Sequence, residues 1–362
     1  MDATGPIAQR FPLIARPRPP CTALTARVRT LAALADRAAT DGDLTAASRV
    51  HNQAALIASD CGQPELARTW CHRHARAYLG QAEPSPNAAR YAIEPLVNLA
   101  RLHIRASDAE AATTLLDNLY QAILTRTDTV IDGTPVPAAA LTSASQSHRE
   151  LSQWLWGVQL ADGTRALTTA GRWQEAETRL QQHRGIGRHL LDGRQVAVIA
   201  RAINSQHADA RRLLAETQTG EPWQAAVAAC LTALIPPTGH RQPNEHLETM
   251  VSRYRSMQPD PTLAVFRTRL ALSIIDAIDD LDHPVAQSTT SELIREVLHC
   301  ADGYAARDLV AHCSIAAATP EQTLGLSTVL EASGLDRPLP APAVRRLEAA
   351  LATSEAVIAR IP

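Results

Sequence analysis

The chain of 362 residues contains no lysine: all 35 of its basic residues are arginine, against 37 acidic residues and a formal net charge of −2. A Walker A phosphate loop needs its lysine, a pyridoxal-phosphate enzyme needs a lysine Schiff base, and protein-kinase chemistry needs a strand lysine. None of these is available. Aromatic residues make up only 3% of the chain, and alternating β-branched runs are almost missing, so a sheet-built core is not expected. No run of 18 apolar residues occurs, which argues against a membrane span. The opening MDATGPIAQRFPLIARPRPP shows no signal-peptide pattern, and six cysteines are scattered along the chain. They are expected to be reduced thiols of a cytoplasmic protein. GxSxG, HExxH and GxGxxG are absent as well.

What is present is helix. Alanine, leucine and arginine dominate, and all three favour it. Ala47, Val50, Ala54, Ile57, Ala58 and Cys61 fall on one stripe, as do Leu66, Ala67, Trp70, Cys71, His74, Ala77 and Tyr78. Cys61-Gly62-Gln63-Pro64 reads as one helix ending and the next beginning. Similar segments continue to the C-terminus, separated by short Gly, Pro, Asn or Asp breaks. The longest break, Asp128–Ala140, is expected to be a loop or insertion, and Pro95 should kink its helix or mark its start. The reading divides the chain into a flexible proline-rich arm (1–22), a repeat region (23–235) and a C-terminal helical region (236–362). Pro236-Pro237-Thr238-Gly239 and the prolines at 338, 340 and 342 mark joints.

One junction recurs: a small residue, then alanine five positions later. It occurs as Gly42…Ala47, Gly62…Ala67, Ala106…Ala111, Gly171…Ala176, Ser205…Ala210 and Gly220…Ala225. The small residue permits a tight turn, and the alanine permits close approach of two helix axes. The stretch Gly171-Arg172-Trp173-Gln174-Glu175-Ala176 resembles the junction of a tetratricopeptide repeat (TPR), and Gly42–Ala47, with Ala54 beyond it, is similar. Gly171 and Ser205 stand 34 residues apart, one repeat length. Other separations are irregular, and most of the family's aromatic and terminal-proline positions are unfilled. The resemblance covers about residues 25–235. It implies an all-α, right-handed solenoid of TPR-like antiparallel helix pairs with a helical C-terminal extension, and a concave face that binds peptides or proteins. The arginine-only composition fits a high-GC coding bias of the kind actinobacterial genes show.

The candidate binding residues are arginines and one asparagine. Arg90, Glu94, Asn98, Arg101 and Arg105 share one flank of a helix, opposite Ile93, Val97, Ala100 and Ile104. Such a flank could hold a carboxylate or phosphate. His183-Arg184-Gly185-Ile186-Gly187-Arg188-His189 sets two glycines and two arginines before an expected helix start, where backbone amides and the helix dipole favour anions. Cys71 and His74, with Cys61 near, have metal-ligand spacing, as do His299-Cys300 and His312-Cys313, but Cys71 and His74 lie on an apolar stripe, which favours packing. Asp276, Asp279, Asp280 and Asp282 form an acidic cluster beside His283. It resembles the aspartate-rich helix of terpene synthases, with His283 where the DDxxD motif has Asp.

The expected function is a non-catalytic adaptor or sensor. It would take a peptide, a protein segment or a small anionic ligand, with no cofactor, no metal and no membrane. Self-association is left open. The alternatives are an enzyme or accessory subunit, with a pocket between the repeat and C-terminal helices, and nucleic-acid binding through arginine faces. The near-zero net charge disfavours the latter.

Overall fold

A computed structural model describes residues 1–80, 86–236 and 243–360. The first helices are α1 (Pro6–Arg10), α2 (Leu24–Asp41), α3 (Leu44–Asp60), α4 (Pro64–Leu79), α5 (Pro86–Arg105) and α6 (Ala109–Thr125). A hairpin of β1 (Thr129–Ile131) and β2 (Thr134–Val136) follows, then α7 (Ala138–Leu141) and α8 (Ser145–Val158). A π turn, Gln159–Gly163, joins α8 to α9 (Thr164–Thr169). Next come α10 (Trp173–Gln182), α11 (Asp192–Ile203), α12 (His207–Ala215), α13 (Pro222–Leu234), α14 (Pro243–Arg255), α15 (Ala264–Ile278) and α16 (Pro284–Cys300). The last are α17 (Gly303–Val310), α18 (Pro320–Ser333) and α19 (Ala341–Ile358). The protein is all-α apart from the hairpin, and among the described residues no helix is long and apolar enough to cross a membrane.

The chain forms two units: Met1–Ala23 with Leu167–Ser333, and Leu24–Ala166 with Gly334–Pro362. The joint expected at residues 235–236 therefore falls within the first unit, and residues 237–242 lie outside the described residues.

In the unit that begins at Leu24, each helix packs on the next: α2 on α3, α3 on α4, α4 on α5, α5 on α6, and α6 on α8. The connections from α2 to α6 are short, while α6 reaches α8 through the hairpin and α7. The core is aliphatic with buried Trp70 and Tyr78. α19 returns to cover α2, α3 and α4. It is pinned there by Trp70 Nε1, which donates to Glu348 at 2.7 Å, and by Arg73, which pairs with both Glu348 and Glu355. Pro95 sits inside α5 without ending it. It has no N–H to give the carbonyl of Tyr91, one turn earlier.

The break expected as a loop at Asp128–Ala140 holds the hairpin. Asp132 (φ 49°) and Gly133 (φ 76°) both occupy the left-handed region, as a type I′ turn requires. Asp132 is held from α4 by Arg68 and by His72 Nε2 (3.0 Å), and Thr134 Oγ1 lies 2.9 Å from His72 Nδ1.

In the other unit α10 packs on α11, α11 on α12, α13 on α14 and α15, and α15 on α16 and α17. Residues 1–22, expected from their prolines to be a flexible arm, belong to this unit. Ala8, Phe11 and Cys21 are buried, the Ala3 carbonyl accepts from Trp173 Nε1 (3.1 Å), and Cys21 exchanges hydrogen bonds with Asp302 and Gly303. Apolar contacts and paired backbone groups join this stretch to the unit.

The recurring junction has a defined geometry. Gly42, Gly62, Gly171 and Ser205 all have φ between 61° and 74°, and the residue after each donates its N–H to the carbonyl five residues before it. This is the Schellman closure of a helix. Ala47, Ala67, Ala176 and Ala210, five residues on, are fully buried. The third junction is shifted by one: Ser107 (φ 61°) is the left-handed residue and Ala112 the buried alanine. Gly220…Ala225 is not such a junction, since Gly220 has no positive φ and Ala226 is the buried residue. A further instance lies beyond Pro236, where Ala301 (φ 49°) precedes the N-cap Asp302 and Ala306 is fully buried.

Candidate functional site

A cleft of about 620 Å³ opens in the unit that begins at Leu24. α3 contributes Thr45, Ser48, Arg49 and Asn52; α5 contributes Arg90, Tyr91 and Glu94; α8 contributes Ser147, Glu150, Leu151 and Trp154. On α3 and α8 these positions are spaced i, i+3, i+4, i+7, which places each set on one helix face. Apolar residues on the opposite stripe of α5 (Ala92, Ile93, Leu96, Val97, Ala100) are buried and fix the rotation that presents Arg90, Tyr91 and Glu94. The volume suits a drug-sized ligand.

Several of the cleft's polar groups are held in place. Tyr91 and Thr45 share a hydroxyl hydrogen bond of 2.8 Å, and Ser48 and Tyr78 share one of 2.5 Å. Asn98 donates to Asn52 (2.9 Å) behind the cleft. The guanidinium of Arg90 stands 5.3 Å from the centre of the Trp154 ring, a cation–π distance. Gln146 donates to Glu150. Arg49 and Glu94 form no hydrogen bond or ion pair among the described residues.

Under the Ser48 wall lies a buried aromatic column. The rings of His51 and His74 are stacked at 4.6 Å, His74 touches Tyr78 at 5.6 Å, and Tyr78 touches Tyr91 at 5.8 Å. Among the described residues, none of the four ring nitrogens of the histidine pair has a hydrogen-bond partner. Burial, with the nearby Arg73 charge, lowers the His51 pKa to about 3; burial, with His51 beside it, drives that of His74 well below its ordinary value. Burial also pushes the Tyr78 hydroxyl up to about 12.

The six binding residues expected from the sequence part company. Arg90 is in the cleft and Asn98 braces its wall. Arg101 donates to the buried carboxylate of Asp162 at 2.8 and 3.1 Å. Arg105 donates to the buried carboxylate of Asp60 at 2.8 Å. Arg184 and Arg188 are exposed in the other unit, and α11 begins beyond them, at Asp192, which pairs with Arg16 at 3.3 Å. The loop between them is shaped by Arg194, which donates to the carbonyls of Gly187 (2.8 Å) and Leu213 (2.7 Å), and by Gly193, where a Cβ would lie 2.2 Å from the Gly185 carbonyl oxygen. Gly193→Ala should therefore cost about 3 kcal/mol in urea unfolding, because backbone must move. A loss below about 0.5 kcal/mol would contradict that packing.

Among the described residues no three His, Cys, Asp or Glu side chains come together as metal ligands. Cys71 is buried, which raises its thiol to about 12 and opposes the thiolate a metal requires. The aspartate cluster diverges: Asp279 takes a left-handed helix-end conformation, Asp280 accepts from the Asp282 backbone, and His283 caps α16. Asp276 pairs with Arg10 and accepts from His312 Nε2 at 2.9 Å. His312 Nδ1 in turn accepts from the Ser314 backbone (3.1 Å) and lies 2.8 Å from its hydroxyl. Both the ring and Ser314 are buried, so this chain serves to tie α1, α15 and the turn after α17 together.

Sequence reasoning passed over Arg49, Glu150 and Trp154. Their periodic spacing was readable, but each set alone looks like an ordinary solvent-facing helix side. No protein-family model, no curated protein and no solved structure matches the chain.

Proposed function

We propose that this protein is a cytoplasmic, non-catalytic adaptor or sensor, in which TPR-like helix pairs form a right-handed superhelical array whose inner face holds a peptide, a protein segment or a small anionic ligand. The observation that carries the reading is the convergence of α3, α5 and α8 on one cleft, in which Arg49 and Glu94 form no hydrogen bond or ion pair among the described residues and Arg90 and Glu150 form no ion pair. Interior charge elsewhere in that unit is neutralised, as at Asp60 and Asp162; charge left open toward a concave site supports ligand recognition. The repeated Schellman turn with its buried alanine supports the TPR-like pairing.

The test is a thermal-shift screen of short peptides and small anions. A ligand at a hundred times its Kd stabilises by about 2.7 kcal/mol, or about 5 °C or more for a unit of this size. The shift should vanish in the Arg90→Ala/Trp154→Ala double variant and persist in Arg184→Ala/Arg188→Ala. A shift that survives the double variant would place binding elsewhere.

A further inference from the structure

The cleft carries two arginines, Arg49 and Arg90, and two glutamates, Glu94 and Glu150, with no ion pair between them. Its formal charge is zero, yet both signs are present and held apart. In the same unit, arginines that meet carboxylates have paired with them: Arg27 and Arg105 with Asp60, Arg101 with Asp162, Arg73 with Glu348 and Glu355. An aromatic wall completes the set, with Tyr91 fixed by Thr45 and Trp154 beneath Arg90.

Resting on the binding role proposed above, we infer that the cleft selects a zwitterionic peptide segment, one that presents a carboxylate to Arg49 and Arg90 and an ammonium to Glu94 and Glu150. A polyanion such as nucleic acid would meet two unneutralised carboxylates on entry, and a polycation would meet two guanidiniums. Each charge thus attracts one end of the right ligand and repels a ligand of single sign. Tyr91 and Trp154 supply apolar contact and a cation–π surface for the ammonium. The opposite charges of the ligand come either from the two free ends of a short peptide or from acidic and basic side chains of a longer segment.

Calorimetry with three probes separates these outcomes: a pool of tetrapeptides with free ends, an acetylated and amidated pool fixed with Lys and Glu at its outer positions, and polyglutamate. The full chain should bind one of the first two, the first if peptide ends are read and the second if side chains are. Arg90→Gln and Glu94→Gln should each weaken that binding about tenfold, the scale of one hydrogen bond to a charged group. Binding of polyglutamate that tightens in Glu94→Gln would overturn the zwitterion while leaving the cleft as a ligand site. Heat from none of the probes would count against both.

Discussion

Asp60→Ala should lower the stability of the protein by about 3–5 kcal/mol in urea unfolding. The Asp60 side chain is fully buried at the C-terminal end of α3, where the helix dipole disfavours a negative charge. Two arginines offset this: Arg27 from α2 at 2.9 Å and Arg105 from α5 at 2.8 Å. The Asp60 carbonyl also accepts from the Asp336 backbone at 2.8 Å, so three helices and the segment before α19 meet at this residue. Truncating the carboxylate removes the ion partner of the Arg27 side chain, which is only 11% exposed. The control is Arg27→Met/Asp60→Leu, which removes both desolvated charges and should recover a large part of the loss. A cost under 1 kcal/mol for Asp60→Ala would show that the buried triad contributes little. Charge reversal at Arg105, which the sequence offers as a binding residue, would likewise be read as lost stability.

Acid should destabilise the protein well before its carboxylates titrate. The unfolded chain protonates His51 near pH 6.5, whereas the folded chain does so only near 3. Below pH 6.5 the unfolded state therefore binds more protons, and stability falls as pH falls. At pH 5 the His51 contribution alone amounts to about 2 kcal/mol, and His74 acts in the same direction. The physical cause is burial: two stacked rings with no hydrogen-bond partner among the described residues disfavour charge in a low-dielectric site beside Arg73. Thermal melts between pH 7.5 and 5 should show this loss in the natural protein, and His51→Leu/His74→Leu should flatten it. An unchanged slope in the double variant would assign the acid sensitivity to other groups.

The left-handed junction residues show how far the sequence could be read. At Gly42, Gly62 and Gly171 the residue type announces the conformation, because glycine carries no steric cost there. Ser107 and Ala301 adopt the same conformation without announcing it, held by the Schellman bond at Ser107 and by the following Asp302 cap at Ala301. The hairpin at Asp132-Gly133 was not read from the sequence, because its strands are three residues long, too short to stand out in a helical chain.

The polar flank of α5 divides in the same way. Its periodicity established that Arg90, Glu94, Asn98, Arg101 and Arg105 share a side of one helix. Nothing local distinguishes Arg90, which opens on the cleft, from Arg101 and Arg105, whose carboxylate partners lie 61 and 45 residues away. Helix content, helix ends and buried stripes come from interactions within a few residues, so composition and spacing determined them here. Which charges are neutralised, which are left open, and that α19 returns to cover α2 depend on groups distant along the chain, and only folding decides which of them meet.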